Sequence, residues 1–267
     1  MIALLRKYSK TAAIELSSQL AFKGNFLLQV IGPALVFLLI RVNLWNSVYA
    51  LREQPTIGGY TLEAMLQYQV FVFLVVILGQ SFISRNVSED IRMGRISAFL
   101  LYPFGFLSFH LGAFFAVQFM NFLVAIVIGI AIWGSGHLPL PDPTALFEGL
   151  VLTAIVSVFW FWLWMGLSLF SFWIEETWVI RVCFVLAAKF LSGAVIPLEL
   201  FPTGLQEFLN YTPFPYLTAV PVRLFMGTAE VGLLQAASIV GVWGLVGWGG
   251  CYALWKRGLR RYCAAGI

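Results

Sequence analysis

Residues 85–105, RNVSEDIRMGRISAFLLYPFG, hold five charged side chains within their first eleven positions. Only 10% of the whole chain is charged, and long apolar runs lie on both sides of this segment. Acidic Glu89 and Asp90 stand next to basic Arg92 and Arg95, and charges of both signs can form ion pairs within a segment or across an interface. The segment is therefore the first candidate for recognition of another surface.

Residue types that perform covalent or metal chemistry are scattered. Cys183, Cys251 and Cys263 form no pair at metal or redox spacing, and His110 and His137 are isolated. A membrane enzyme would need His, Asp or Glu side chains clustered at one membrane face. The sequence therefore disfavours an enzyme such as a lipid transferase and predicts no catalytic or metal-binding residue.

A nucleotide site is not predicted either. A phosphate-binding P-loop needs a glycine directly before its lysine, and none of the five lysines follows a glycine. The stretch LSGAV at 191–195 resembles part of a nucleotide-contacting motif. It lies inside a predicted membrane span, however, where it cannot meet a nucleotide. We expect the chain itself to bind no cofactor, including ATP.

The elements that carry these residues are predicted to be membrane helices. The chain is 61% hydrophobic and its mean hydropathy is +0.90. A helix needs roughly 20 mostly apolar residues to cross a bilayer, and six stretches meet this requirement: about 25–47, 61–83, 107–133, 146–173, 178–197 and 231–254. We predict an all-α integral membrane protein with six transmembrane helices in one domain, residues 1–267.

The basic residues predict the orientation of the chain. With the N-terminus in the cytoplasm, 12 of the 16 lysines and arginines fall on inner segments, as the positive-inside rule requires. Six spans then return the C-terminus to the cytoplasm. Because topology accounts for the net charge of +4, we expect no nucleic-acid partner.

Two flanking segments are amphipathic rather than continuously apolar. Residues 1–22 have apolar positions at near-helical spacing with basic residues between them, which predicts a helix in the inner membrane interface; a disordered basic tail is the alternative. Residues 196–227 contain five prolines and are too polar to span. We predict short helices at the outer surface over 198–227.

The charged segment has the pattern of a short cytoplasmic helix over residues 86–102. Asn86 stands three residues before Glu89, a capping arrangement. One face of that helix is apolar and includes Val87, Ile91, Gly94, Ala98 and Leu101. A solvated loop would explain the arginines alone, whereas a docking surface for a cytoplasmic partner explains the cap, the apolar face and the acidic residues as well.

Lys189 is the first candidate for a substrate pathway. It lies eight residues before Pro197, about 12 Å along a helix, which is too deep for easy access to water. Such a charge is expected to face protein or a water-filled cavity. Its partner is predicted to be Glu176, Glu63 or a carboxylate of a second chain, and a structural ion pair is the alternative to a pathway role.

Trp160 and Trp162 are further pathway candidates because they lie near the middle of the fourth span, whereas tryptophan prefers the headgroup level. Aromatic faces can hold planar or cationic ligands; helix packing and lipid contact are the alternative. Glu63, near the outer end of its span, is a candidate for the release of a cation, with ordinary solvation as the alternative.

Three segments resemble ABC type 2 exporter permeases. EDIRMGRISAFLLYPFGF resembles their cytoplasmic segment, LSGAVIPLELFPTGLQEFLNYTPFPYLTAVPVRLFMG their outer signature, and LWKRGLRRYCAAGI the terminal segment of a subgroup related to daunorubicin and viologen exporters. The resemblance implies two permease chains, identical or homologous, and a pair of separate ABC ATPase subunits that bind ATP. It assigns residues 1–22 to a connecting helix and 85–105 to a coupling segment with Glu89, Asp90, Arg92, Gly94 and Arg95.

The resemblance also sets the expected function. The chain is expected to be the permease subunit of an ATP-driven exporter in a bacterial inner membrane, moving a hydrophobic or amphipathic compound, such as a drug or a viologen-type cation, out of the cytoplasm by alternating access. A lipid or glycan exporter is the alternative within the class. A non-transporting membrane anchor for an ATPase is the alternative outside it.

Overall fold

The computed structural model describes residues 23–51, 55–79, 84–101, 105–134 and 139–262, with isolated positions elsewhere. Within these ranges the chain forms helices α1 Lys23–Leu51, α2 Leu62–Gly79, α3 Ser84–Arg92, α4 Ile96–Leu101, α5 Phe106–Gly134, α6 Pro143–Leu169, α7 Trp178–Leu191, α8 Thr203–Asn210, α9 Phe214–Leu217, α10 Ala219–Phe225 and α11 Leu233–Leu259. The helix predicted for residues 1–22 lies almost entirely outside the described ranges.

Five helical segments are long and apolar enough to cross a membrane. They are Ile31–Leu51, Leu62–Gly79, Phe106–Gly134, Pro143–Phe172 and Leu233–Leu259. Each corresponds to one of the predicted spans, and together they confirm an all-α membrane protein. The count of six spans stays a prediction, because the helix at the fifth position is shorter than expected.

That shorter helix is α7, which has 14 residues and ends at Leu191, whereas the predicted span reached residue 197. At 1.5 Å per residue it is about 21 Å long, less than the ~30 Å hydrocarbon core. The helix stops because Gly193 has a φ of +79°, a left-handed conformation that glycine adopts at little cost. The sequence has a glycine and then a proline here, which are helix-end signals, but the surrounding apolar run suits a longer span.

After α7 the chain folds back against the bundle. The Tyr68 hydroxyl donates a hydrogen bond of 2.8 Å to the Gly193 carbonyl. The Ala219 amide donates one of 2.9 Å to the Ser192 carbonyl. These bonds satisfy irregular backbone inside the protein, as a membrane environment requires. Residues 198–227 then hold α8, α9 and α10, the short helices expected there.

Helix α6 is at the centre of the bundle and packs against α2, α3, α10 and α11. The rings of Phe71 and Phe225 stack beside it with centroids 5.2 Å apart. This approach depends on Gly149 of α6, because a Cβ atom there would lie 2.5 Å from the Phe225 ring. Close packing of this kind holds α2 and α10 on one side of α6.

The bundle has two polar ends. We call the first the charged end, formed by α3, α4, residues 170–177 and residues 255–262. We call the second the tyrosine end, formed by Tyr60, Glu199 and Arg223 and the chain around them. Helix α11 has 27 residues, about 40 Å, and its C-terminal end lies at the charged end. The two ends therefore lie on opposite sides of the membrane-spanning part.

Candidate functional site

The charged segment folds as two short helices joined by a turn, so the prediction of one continuous helix is wrong. Helix α3 ends at Arg92, and Gly94 in the turn has a φ of +72°. A left-handed glycine after a helix is a common way to end it. The helix also begins at Ser84, so Asn86 is its third residue and not its N-cap.

Arg95 holds the turn against α3 through two ion pairs. Its Nη2 atom donates to Glu89 Oε1 at 2.8 Å, and its Nε atom lies 3.3 Å from Asp90 Oδ1. The two acidic side chains differ in exposure, at 45% for Glu89 and 14% for Asp90. Burial raises the pKa of Asp90, although Arg95 opposes the shift. The Glu89 side chain is thus exposed at the surface of the chain, while the Asp90 side chain faces the protein interior.

A second set of contacts joins α3 to the loop before α7. Arg92 Nη1 donates to Glu176 Oε1 at 2.5 Å. The buried Thr177 hydroxyl donates to the Ser88 hydroxyl at 3.2 Å. Because Glu176 is engaged here, it is not the partner of Lys189 that the sequence suggested. These contacts couple the position of α3 to the start of α7.

The C-terminal tail provides a third contact, which the sequence did not reveal. The Tyr262 hydroxyl donates a hydrogen bond of 2.6 Å to the Gly94 carbonyl and lies 3.1 Å from the Ser97 hydroxyl. Tyr262 and Gly94 are 168 positions apart, so no local pattern connects them. The tail therefore fixes the turn between α3 and α4 in the folded protein.

The underside of α3 and α4 is apolar and packs on the membrane helices. Val87, Ile91 and Ile96 are buried against the ends of α5 and α6. The core there also includes Phe106, Phe114, Phe161, Met165 and Leu169. Two of the apolar positions predicted to share one face, Val87 and Ile91, are thus buried together. The side chains left outward are those of Glu89, Arg92, Met93 and Arg95.

His110 lies beneath this surface, within the first turns of α5. It is 3% exposed, and its Nε2 atom is 4.0 Å from Asp90 Oδ2. Its ring makes an edge contact with Phe106 at a centroid distance of 4.5 Å. The sequence predicted no role for this histidine, and the structure places it beside Asp90, although its Nε2 atom has no hydrogen-bond partner among the described residues.

Lys189 lies between α7 and α1. Its Nζ atom is 5.0 Å above the centre of the Phe37 ring, a cation–π distance. Arg41 lies one helical turn after Phe37 on α1, beside the ring that Lys189 contacts. Glu63, the other acidic partner predicted for Lys189, is an exposed residue in the first turn of α2. No ion pair joins Glu63 to Lys189 among the described residues.

The structure separates the two predicted tryptophans of α6. Trp160 is 4% exposed and packs with Phe184 and Trp164 inside one chain. Trp162 is half-buried and lies on the other side of α6. There the Cys251 thiol donates a hydrogen bond to the Trp162 backbone carbonyl. Neither tryptophan lines the cleft of about 320 Å³ between α5 and α6. The described chain thus does not assemble Trp160, Trp162, Lys189 and Glu63 into one pocket.

The described residues contain no group of three or more His, Cys, Asp and Glu side chains able to hold a metal ion. The charged end instead presents a folded, charged surface. Its ion pairs fix the backbone, its apolar side is buried, and its charged side faces outward.

Fold and site together define a multi-pass α-helical membrane protein with a charged, folded surface at one end. Residues 35–266 match the family described as ABC-2 family transporter protein. The match covers most of the chain, so the chain belongs to the ABC-2 transporter family. This confirms the resemblance to ABC type 2 permeases, while the subgroup stays a prediction. None of the curated proteins compared matches the chain.

Membership of this family indicates a membrane subunit for transport rather than an enzyme. It also implies pairing with ATPase subunits in general.

Proposed function

We infer that the chain is the permease subunit of an ABC exporter that moves a hydrophobic or amphipathic compound out of the cytoplasm. One observation carries this proposal besides the family: the α3–α4 surface is held in place at one end of the bundle and presents Glu89, Arg92, Met93 and Arg95 outward. A docking site for a rigid partner requires such a prearranged surface. A pair of ABC ATPase subunits is the partner proposed for it.

The charged end is proposed to be cytoplasmic. The last turn of α11 carries Lys256 and Arg257, and Arg260 and Arg261 follow. Cytoplasmic segments gather basic residues in this way, and Tyr262 contacts the α3–α4 turn at the same end. Both termini are then cytoplasmic. In this proposal α7 and the segment 192–227 together cross the membrane at the fifth position, which brings the number of spans to six. The membrane is proposed to be a bacterial inner membrane, by resemblance.

A second permease, identical or homologous, is the other partner proposed. Helices α1 and α7 have exposed apolar side chains along their length, among them Leu39, Leu44, Val179 and Leu186. Exposed apolar surface of this extent is covered by lipid or by another membrane chain. We propose that membrane lipid covers part of this apolar surface and a second permease covers the rest.

The contacts of α3 suggest how the ATPases drive the permease. Nucleotide-dependent closure of the ATPases would displace the α3–α4 surface. Arg92 and Thr177 would transmit that displacement to the start of α7, since both lie in contacts that join α3 to residues 176–177. Alternating access then follows from movement of α7 against α1, with ATP bound only by the partner.

A pull-down of the tagged chain from its native membrane in mild detergent tests the proposal. An ABC ATPase should co-purify, and the double variant Glu89→Lys, Met93→Glu should lower its recovery roughly ten-fold, as loss of central interface contacts does. Glu207→Lys, an exposed position of α8 near the other end, is the matched control. Recovery of the chain without an ATPase, under conditions that preserve other membrane complexes, contradicts the proposal.

A further inference from the structure

Two cationic side chains lie within the membrane-spanning part. Arg41 is the eleventh residue of the 21-residue span Ile31–Leu51, about 15 Å from either end. Lys189 lies eleven residues after the first residue of α7, about 16 Å along it, in the last turn of that helix. Both side chains are partly buried in the chain. Ionised residues at this depth mark a functional site more often than a structural one.

The two cations belong to one local site. Lys189 Nζ lies 5.0 Å above the Phe37 ring, and Phe37 is one helical turn before Arg41 on the same face of α1. Helix α1 in turn packs against α2, which carries Tyr68. The site is therefore formed by α1 and α7, with α2 on the other side of α1.

This site lacks a negative charge of its own. Among the described residues, neither Arg41 nor Lys189 makes an ion pair. The acidic residue on the Tyr68 side is Glu199, and it is engaged by Arg223 at 2.8 Å and by the Tyr60 hydroxyl at 2.7 Å. Two like charges held close together in a low-dielectric environment repel each other, and an anion between them removes that repulsion.

We propose that the α1–α7 face binds the anionic group of the transported amphipathic compound, a phosphate, sulfate or carboxylate, between Arg41 and Lys189. Arginine offers paired donors to such a group and lysine adds a point charge. Leu44 and Leu186, each three positions from one of the cations, are more than half exposed and provide apolar surface for the rest of the molecule. The proposal rests on the function proposed above and gives its substrate an anionic head, not the viologen-type cation expected from the subgroup.

Photolabelling tests this site without requiring transport. The full chain, with whatever co-purifies, is placed in phosphatidylcholine nanodiscs with a diazirine-bearing alkyl phosphate, or with the uncharged alcohol of the same alkyl chain. The phosphate should label peptides of α1 and α7 roughly ten-fold more than the alcohol, since charge-assisted hydrogen bonds hold only the phosphate. Arg41→Gln with Lys189→Gln should abolish that excess.

The controls separate the outcomes. Lys256→Gln with Arg257→Gln removes two cations at the charged end and should leave the excess unchanged, and Lys189→Arg should retain it. Equal labelling by phosphate and alcohol, the result expected if a carboxylate of a second permease neutralises the site, overturns the proposal. An excess that survives in the Arg41→Gln, Lys189→Gln variant also overturns it.

A competition arm separates the cargo from bilayer lipid. Phosphatidylglycerol added to the nanodiscs should displace the probe less well than unlabelled alkyl phosphate does, and equal displacement overturns the assignment to cargo. Loss of the ATPase from the pull-down would overturn the exporter proposal and leave the labelling result standing. Absent labelling with the ATPase present would overturn only the anion site.

Discussion

The two polar ends of the molecule both contain an arginine–carboxylate pair, yet the pairs lie in different surroundings. At the charged end, the side chains of Arg92 and Glu176 are 47% and 69% exposed. At the tyrosine end, those of Arg223 and Glu199 are 21% and 30% exposed, and Tyr60 donates a further hydrogen bond to the same carboxylate oxygen. Burial and the Glu199 contact raise the pKa of Tyr60, so its hydroxyl stays a donor.

The difference assigns different tasks to similar chemistry. Solvated ion pairs contribute little to stability, so we propose that those at the charged end serve mainly to shape the α3–α4 surface for a partner. An enclosed pair is costly to break, because removing one partner leaves the other charge without compensation. The tyrosine end therefore closes the bundle structurally, whereas the charged end is the recognition surface in the function proposed above.

Breaking the enclosed pair should give the largest effect on stability. Arg223→Met leaves Glu199 without its cation, and we expect a loss of about 2–4 kcal/mol in the free energy of unfolding, somewhat below the value for a fully buried pair. Thermal unfolding in detergent, followed by tryptophan fluorescence, measures it. Glu207→Gln, an exposed residue of neighbouring α8, should change the unfolding temperature little. If both variants unfold at the same temperature, the ion pair at the tyrosine end contributes no more to stability than a solvated surface residue does.

The turn at the charged end is the next largest target. Gly94→Ala forces a side chain into a φ of +72°, which costs about 1–2 kcal/mol, and the strain should loosen α3–α4 and reduce ATPase recovery. Gly244→Ala is the matched control, because nothing lies within 4 Å of a Cβ at that helical position and alanine favours a helix over glycine. Equal ATPase recovery with both variants would show that the turn need not be rigid.

Removing one hydroxyl should produce a smaller effect, confined to the charged end. Tyr262→Phe loses the bonds to the Gly94 carbonyl and the Ser97 hydroxyl, worth about 1 kcal/mol. Hydrogen exchange of the amides of residues 93–97 should become several-fold faster, as a loss of that size predicts. Tyr252→Phe, on an exposed face of α11, controls for the substitution. Unchanged exchange would mean that the tail does not fix the turn.

The features that depend on composition could be predicted from the sequence. Five of the six spans match helices, because long apolar runs have few other structures in a membrane. Helical structure in the charged segment was also predicted correctly, since α3 and α4 both lie within residues 84–101, while its docking role stays a prediction. Apolar periodicity identified Val87 and Ile91 as its buried side.

The features that depend on single backbone angles or distant contacts could not be predicted. Gly94 and Gly193 both adopt a positive φ within stretches that suit a continuous helix, so one predicted helix became two and one predicted span became short. Tyr262 acts on a residue 168 positions away. The contact of Lys189 with the Phe37 ring joins two helices that are distant in sequence, and neither helix encodes it alone.

Breaking the exposed pair at the charged end should give the smallest effect on stability. It is therefore the strictest test of the difference between this pair and the enclosed pair at the tyrosine end. Glu176→Gln removes the partner of Arg92 at a position that is 69% exposed, and we expect a change of at most about 0.5 kcal/mol in the free energy of unfolding. If the pair connects α3 to α7 as proposed, ATP turnover by the purified complex should nevertheless respond less to the transported compound. Glu175→Gln, the exposed neighbour, should leave both quantities unchanged. A marked loss of stability with Glu176→Gln would instead make the charged end structural in the same sense as the tyrosine end, because an ion pair in water cannot contribute that much by itself.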